Sequence, residues 1–269
     1  MGDISKMKQK KRLTPLKKRK KTWVIKIGSQ LITDGGPLLI RSLIREISDL
    51  IKQEQLRVVW VTSGAIASAR QRLKYQWSTL PEKQALSAIG QPMLMDLYNL
   101  ALQSQGMMGA QVLLTYSDFR RKESRINLRN TIEQLLDWGI VPLLNENDAV
   151  ATDEIQFGDN DQLSAMVACE LKADRLIILT NVGGLYDRDP SKEGARLIPF
   201  LDQVDQKIIK KTASLGASNQ GRGGMSSKLL AAKRAWSQKI PTTIVQGLQE
   251  RVITRLWQGE PIGTAVGVR

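Results

Sequence analysis

The sequence predicts an α/β fold in which a mostly parallel sheet is covered by helices on both faces. Two observations carry the prediction. From Thr22 onward, short apolar runs alternate with longer amphipathic stretches, the pattern of strands joined by crossover helices. Several of the apolar runs are also followed by polar, glycine-rich segments, as expected where an open α/β sheet gathers ligands at the carboxyl ends of its strands.

The elements follow in order. Residues 23–27 form the first expected strand, apolar except for Lys26, and Lys26-Ile-Gly-Ser-Gln30 closes it. Residues 38–53 have helical spacing of their apolar positions. A second strand, 58–61, ends in Thr62-Ser-Gly-Ala65. A long helix over 82–105 leads to a strand at 110–114, and a helix over 125–138 is stopped by Gly139 at a C-cap position. The run 140–144 reads as a strand buried on both faces. A helix over 160–172 follows, with Cys169 as a small buried hydrophobe. Strands at 176–180 and 242–245 flank a late helix opened by Gly221-Arg-Gly-Gly-Met-Ser-Ser-Lys228. No internal repeat or linker interrupts the series.

Composition bounds the rest. A chain of 269 residues with 42% hydrophobic content supplies a sizeable core. The single cysteine excludes an intrachain disulfide framework and fits a reducing compartment. No apolar run approaches the roughly 20 residues a bilayer requires, and no secretory apolar region follows the basic N-terminus. A cytoplasmic protein without membrane contact is expected. The net charge of +14 is concentrated in residues 1–22, which hold ten Lys/Arg against one acid. That segment lacks the apolar content to fold and is expected to be a disordered, solvated tail with no specific nucleic-acid partner, leaving residues 23–269 as one domain.

The stretch from Asn145 to Asp161 leaves an apolar run and sets six carboxylates among carboxamides; it reads as either an active-site rim or a solvated acidic loop. The three glycine-rich segments suit an anion, because glycine lets backbone N–H groups approach closely and a helix N-terminus adds a favourable dipole. Taken singly, Gly28 could be a turn, Ser63 a helix cap and Gly223-Gly224 a flexible loop. The chain contains no histidine, which removes Ser-His-Asp catalysis, a histidine base and histidine-ligated zinc. Carboxylates, lysines and glycine loops remain, an inventory suited to phosphoryl transfer by positioning and charge neutralisation. A carboxylate acceptor fits especially well, being ionised at neutral pH without a general base. No P-loop and no strand-linked G-x-G-x-x-G is present.

Five co-linear segments carry a resemblance: Val24-Ile-Lys-Ile-Gly-Ser29, Val61-Thr-Ser-Gly-Ala-Ile-Ala67, Asn145-Glu-Asn-Asp-Ala-Val-Ala-Thr152, Gly158-Asp-Asn-Asp-Gln-Leu-Ser-Ala165 and Gly223-Gly-Met-Ser-Ser-Lys228. They resemble the glutamate 5-kinases, a branch of the amino acid kinase family. The resemblance implies a three-layer α/β/α sandwich with a mostly parallel central sheet and no P-loop. It implies ATP- and Mg2+-dependent phosphorylation of the L-glutamate γ-carboxylate to γ-glutamyl phosphate, the first step of proline synthesis.

By the same resemblance Lys26 and Lys228 clasp the transferring phosphoryl group and Asp161 holds the two ammonium groups in place. Ser63, Asp148 and Asn160 match glutamate-binding positions, with Asp159 a weaker candidate. Nucleotide contacts are implied for Lys26, Gly28, Thr180, Asn181, Arg222, Gly223, Gly224, Met225, Ser226, Ser227 and Lys228. No protein-held metal site is implied. Glutamate-5-semialdehyde dehydrogenase is the expected functional partner, and a homo-oligomer is expected.

The chain departs from the family pattern in having Asn181 where Asp is usual and Arg222 where Thr is usual. The likeness also ends near Gly263-Thr264, with no C-terminal PUA domain expected. A sister kinase acting on acetylglutamate, aspartate or a nucleoside monophosphate stays open, as does a non-catalytic nucleic-acid or regulatory binding protein, which the basic tail and Asn181 motivate. Asn145-Glu-Asn-Asp148 favours glutamate over the sister substrates, and the intact Lys26, Asp161 and Lys228 argue against loss of catalysis.

Overall fold

The computed structural model describes residues 19–73, 79–150, 160–214 and 224–268; residues 1–18, the greater part of the expected tail, lie outside them. The first strand, β1 (Thr22–Ile27), opens with the backbone N–H of Thr22 donating to Asp174 at 2.7 Å. Arg19 donates to the carbonyl of Lys172, and Lys21 lies over the Trp257 ring. The last residues of the basic run are therefore bound to the folded body.

Helix α1 (Ser29–Glu54) begins nine residues before the expected start because Gly36 departs from helical geometry and splits it. Pro37 follows, and the residue before a proline is disfavoured in the α region. The periodic part recognised in the sequence is the second segment. After β2 (Arg57–Val61) and α2 (Ala65–Arg72) comes α3 (Leu80–Gln103). Thr79 and Glu82 form a capping box with Pro81 just inside the helix, so it starts earlier than the apolar spacing suggests. Next are β3 (Gly109–Leu114), α4 (Lys122–Asp137), β4 (Val141–Glu146), α5 (Asn160–Leu171) and β5 (Arg175–Thr180). Gly139, just beyond α4, has φ 74, the left-handed stop its position predicted. The chain continues through β6 (Phe200–Leu201), α6 (Gln206–Ser214), α7 (Met225–Ser237), β7 (Thr242–Gln246), α8 (Val252–Trp257) and β8 (Thr264–Val266).

The strands form one eight-stranded sheet in the order β3-β4-β2-β1-β5-β7-β8-β6. Every pairing is parallel except β7 with β8. One face packs against α1, α3 and α8 through Trp23, Ile25, Ile27, Ile44, Leu94 and Ile253. The other packs against α4, α5 and α7 through Val24, Val59, Ile132, Leu163 and Leu229. This is the expected three-layer sandwich. Buried Glu46 of α1 accepts the backbone N–H groups of Ile253 and Thr254, both at 2.9 Å, and so pins the start of α8. Cys169 corrects the sequence reading: it is only partly buried, with Sγ 3.7 Å from the carbonyl of Arg234, because it lies where α5 meets α7 rather than against the sheet.

Candidate active site

Period-2 alternation along β1 puts Trp23, Ile25 and Ile27 in one layer and Val24 in the other. Lys26 shares the face of Val24 and points toward α5 and α7. There it meets Asp161, in the first turn of α5, which also accepts from Lys228, in the first turn of α7, at 3.0 Å. Asp161 is fully buried, Lys26 3% exposed and Lys228 6% exposed. Burial by itself would raise the Asp161 carboxyl, but the two ammonium groups outweigh it and hold the carboxyl below the usual carboxylate range. The cluster carries a net charge of +1, and Asp161 keeps the two cations close enough to act on one anion.

Helix starts converge on this cluster. Gly28, Gly64 and Gly224 are the N-cap residues of α1, α2 and α7, and no described side chain caps any of the three. Their first-turn N–H groups face the carboxyl edge of the sheet, where an anion is favoured. Gly64 has φ 100, a conformation that a side chain would strain. Gly90 has a packing reason: a Cβ there would fall 1.7 Å from the carbonyl oxygen of Ala65. That contact presses α3 against the start of α2 and fixes the Ser63-Gly64 turn.

A line of carboxamides leads away from the lysines. Asn160 Nδ2 donates to Ser63 Oγ at 3.1 Å and to Asn145 Oδ1 at 2.6 Å, and also to the carbonyl of Thr62. Asn145 Nδ2 in turn donates to Gln91 Oε1 at 2.6 Å. Beyond Gln91 lies a cavity of about 220 Å³, whose wall includes Ser87, Gln91, Gln111, Glu146 and Asp148. Asp148 accepts a 3.3 Å hydrogen bond from Ser87. The structure thus brings Lys26, Asp161, Lys228, Asn160 and Ser63 together and places Asp148 at the far end of the carboxamide line.

On the other side of β1, Thr180 ends β5 and its Oγ donates to Asn181 Oδ1 at 3.3 Å. A cleft of about 470 Å³ opens there, lined by Val182, Tyr186, Leu197, Gln246 and Gln249 among others and, among the described residues, by no charged side chain. Gln246 donates to the backbone carbonyl of Asn181 at 3.2 Å. Gly28 borders the lysine cluster: a Cβ there would lie 3.7 Å from Lys26 Nζ. Met225, Ser226 and Ser227 form the first turn of α7, and the Ser227 carbonyl accepts from Gln162 of α5. Asp159, Arg222 and Gly223 lie outside the described residues.

Sequence reasoning missed Gln91 and did not single out Asn145, Gln246 or Tyr186. Asn145 had a usable signal, a polar residue at the end of a buried strand. Gln91 had only a faint one, a carboxamide after a glycine inside a helix.

The fold and the buried lysine–aspartate–lysine cluster define a class. The chain belongs to the amino acid kinase family, whose model matches residues 21–246. Among curated relatives, it is 42% identical over 247 residues to the glutamate 5-kinase of Trichlorobacter lovleyi, covering 90% of this chain and 65% of that protein. It is 41% identical over 249 residues to the glutamate 5-kinase of Thermoanaerobacter sp. strain X514, covering 90% of this chain and 66% of that protein. The chain therefore spans just under two thirds of the length of these relatives. Among solved structures, the isopentenyl phosphate kinase of T. acidophilum superposes with a TM-score of 0.62 at 19% identity, covering 91% of this chain and 99% of that one. UMP kinase from Bacillus anthracis gives 0.62 at 15% identity, with 92% and 96% covered. These two likenesses establish the fold alone.

Proposed function

We propose that the chain transfers the γ-phosphoryl group of ATP to the γ-carboxylate of L-glutamate. The observation that carries this reading is the buried Lys26–Asp161–Lys228 cluster, set among uncapped helix starts and joined by carboxamides to an acidic cavity. The identity to glutamate 5-kinases supports it. Phosphoryl transfer asks the protein chiefly to align the reactants and offset charge on the moving group. One carboxylate oxygen of glutamate attacks the γ-phosphorus, a new oxygen–phosphorus bond forms, and the bond to the β-phosphate oxygen breaks to release ADP. No proton moves, because the acceptor is already ionised at pH 7.

Lys26 and Lys228 approach the phosphoryl oxygens, and each gains most when charge spreads in the transition state. The Ser63 hydroxyl, held by Asn160, donates to the acceptor carboxylate, and Asp148 pairs with the α-ammonium. The cleft beside Asn181, whose described lining is uncharged and includes Tyr186, suits a nucleotide base. Among the described residues no group of three or more Asp, Glu, His or Cys could hold a metal ion, and Asp161 is committed to the lysines. In this reading Mg2+ enters with the phosphates of the nucleotide substrate.

No described helix is long and apolar enough to cross a membrane; a cytoplasmic enzyme that hands its product to a reductase forms part of the proposal. The test is ADP release with L-glutamate, N-acetylglutamate, L-aspartate and UMP as alternative acceptors. Turnover dependent on glutamate is expected. Turnover with another acceptor and none with glutamate would overturn the reading.

A further inference from the structure

Gln91 is buried, 6% exposed, and its Nε2 has no hydrogen-bond acceptor among the described residues. Buried donors are rarely left unmatched, since an orphan forfeits its hydration without replacement. The orientation of this amide is fixed by its neighbours. The backbone N–H of Glu146 donates to Asn145 Oδ1 at 3.0 Å, and a backbone N–H cannot become an acceptor. Asn145 therefore presents its NH2 group to Gln91, and Gln91 answers with Oε1. Its own NH2 group is turned away from Asn145, and Gln91, unlike Asn145, forms part of the wall of the 220 Å³ cavity that holds Asp148.

Among the described residues the cavity wall contains two carboxylates, Glu146 and Asp148, and no lysine or arginine. Among these residues an ammonium group meets acidic oxygens, whereas an anion meets neutral donors. A zwitterionic amino-acid head needs both. With the γ-carboxylate at the lysine cluster and the α-ammonium at Asp148, the α-carboxylate is the group still to be matched. We infer that Gln91 is a specificity-determining residue whose Nε2 donates to the α-carboxylate of the amino-acid substrate. This inference rests on the proposed glutamate phosphorylation. It makes the cavity a reader of the whole zwitterion and disfavours acceptors that lack either charge.

The test is Gln91→Glu, which keeps an acceptor for Asn145 and replaces the donor with an anionic oxygen. Rates are measured with L-glutamate, with 4-aminobutyrate, which lacks the α-carboxylate, and with the α-amide of glutamate, which offers an N–H donor in its place. Loss of a hydrogen bond to a charged group corresponds to about 10- to 100-fold in kcat/KM. We expect a loss of that size on glutamate, expressed mainly in KM, with 4-aminobutyrate little changed and the α-amide improved relative to glutamate. A relative gain on the α-amide cannot come from a damaged fold. If the native enzyme turns over glutamate but the variant loses equally on all three acceptors, Gln91 is only structural and the inference is overturned while the kinase reading stands. If the native enzyme shows no turnover with glutamate, the kinase reading fails and takes this one with it.

Discussion

Asp161→Asn isolates what the lysine cluster costs and what holds it. The carboxylate is fully buried, and the Lys26 and Lys228 side chains are 3% and 8% exposed, so water cannot replace the lost charge. The substitution leaves two ammonium groups facing a neutral amide. Removing one partner of a buried ion pair costs about 3–5 kcal/mol, because the remaining charge stays desolvated. For a domain of this size each kcal/mol lowers Tm by about 2–4 °C, so a fall of roughly 6–20 °C is expected.

Thermal unfolding followed by circular dichroism from pH 3 to 8 is the assay. The sign follows from the lowered Asp161 carboxyl: its stabilisation is full above the unfolded carboxylate range, near pH ~3.9, and fades as pH falls through the folded value. The gap between native protein and variant should stay constant from pH 5 to 8 and narrow only in acid. A Tm change under about 2 °C, or a gap that closes between pH 5 and 8, would refute the account of the cluster.

Three further outcomes follow from the same geometry. Lys26→Ala and Lys228→Ala should each lower kcat by about 10²-fold or more while changing glutamate binding little, as measured by single-turnover rates and calorimetry; loss of binding with unchanged kcat would contradict a transition-state role. Asp148→Ala, at the far end of the carboxamide line, should raise the glutamate KM by at least tenfold with kcat nearly preserved, and an unchanged KM would remove Asp148 from the substrate site. Asn181→Asp puts a charged acceptor beside the cleft that Gln246 borders and should sharpen the preference for ATP over other nucleoside triphosphates in competition kinetics; equal preference would show that Asn181 lies away from the ribose.

The layered sheet was legible because buried parallel strands such as 176–180 are uniform apolar runs between amphipathic helices. The short pieces escaped: β6 and β8 are too brief to show a period, and α2 is a short helix whose position depends on Gly90 packing against Ala65. The lysine–aspartate–lysine cluster was readable because Lys26 interrupts an otherwise apolar strand and Asp161 opens a helix. Gln91 was not, since its significance lies in two hydrogen bonds across 54 and 15 residues of sequence, Asn145 to Gln91 and Asn160 to Asn145. Spacing along the chain carries no trace of such a line.

Transfer of the phosphoryl group to the γ-carboxylate is tested most directly by following oxygen rather than rate. Glutamate labelled with 18O in its γ-carboxylate is incubated with Mg-ATP, the protein and hydroxylamine. If the carboxylate attacks phosphorus, one labelled oxygen becomes the bridge of an acyl phosphate. Hydroxylamine then attacks the carbonyl carbon and phosphate departs with that oxygen. γ-Glutamyl hydroxamate is expected, with inorganic phosphate carrying one 18O per hydroxamate formed. Phosphate released without label would mean that water, not the glutamate carboxylate, receives the phosphoryl group, and would contradict the proposed transfer.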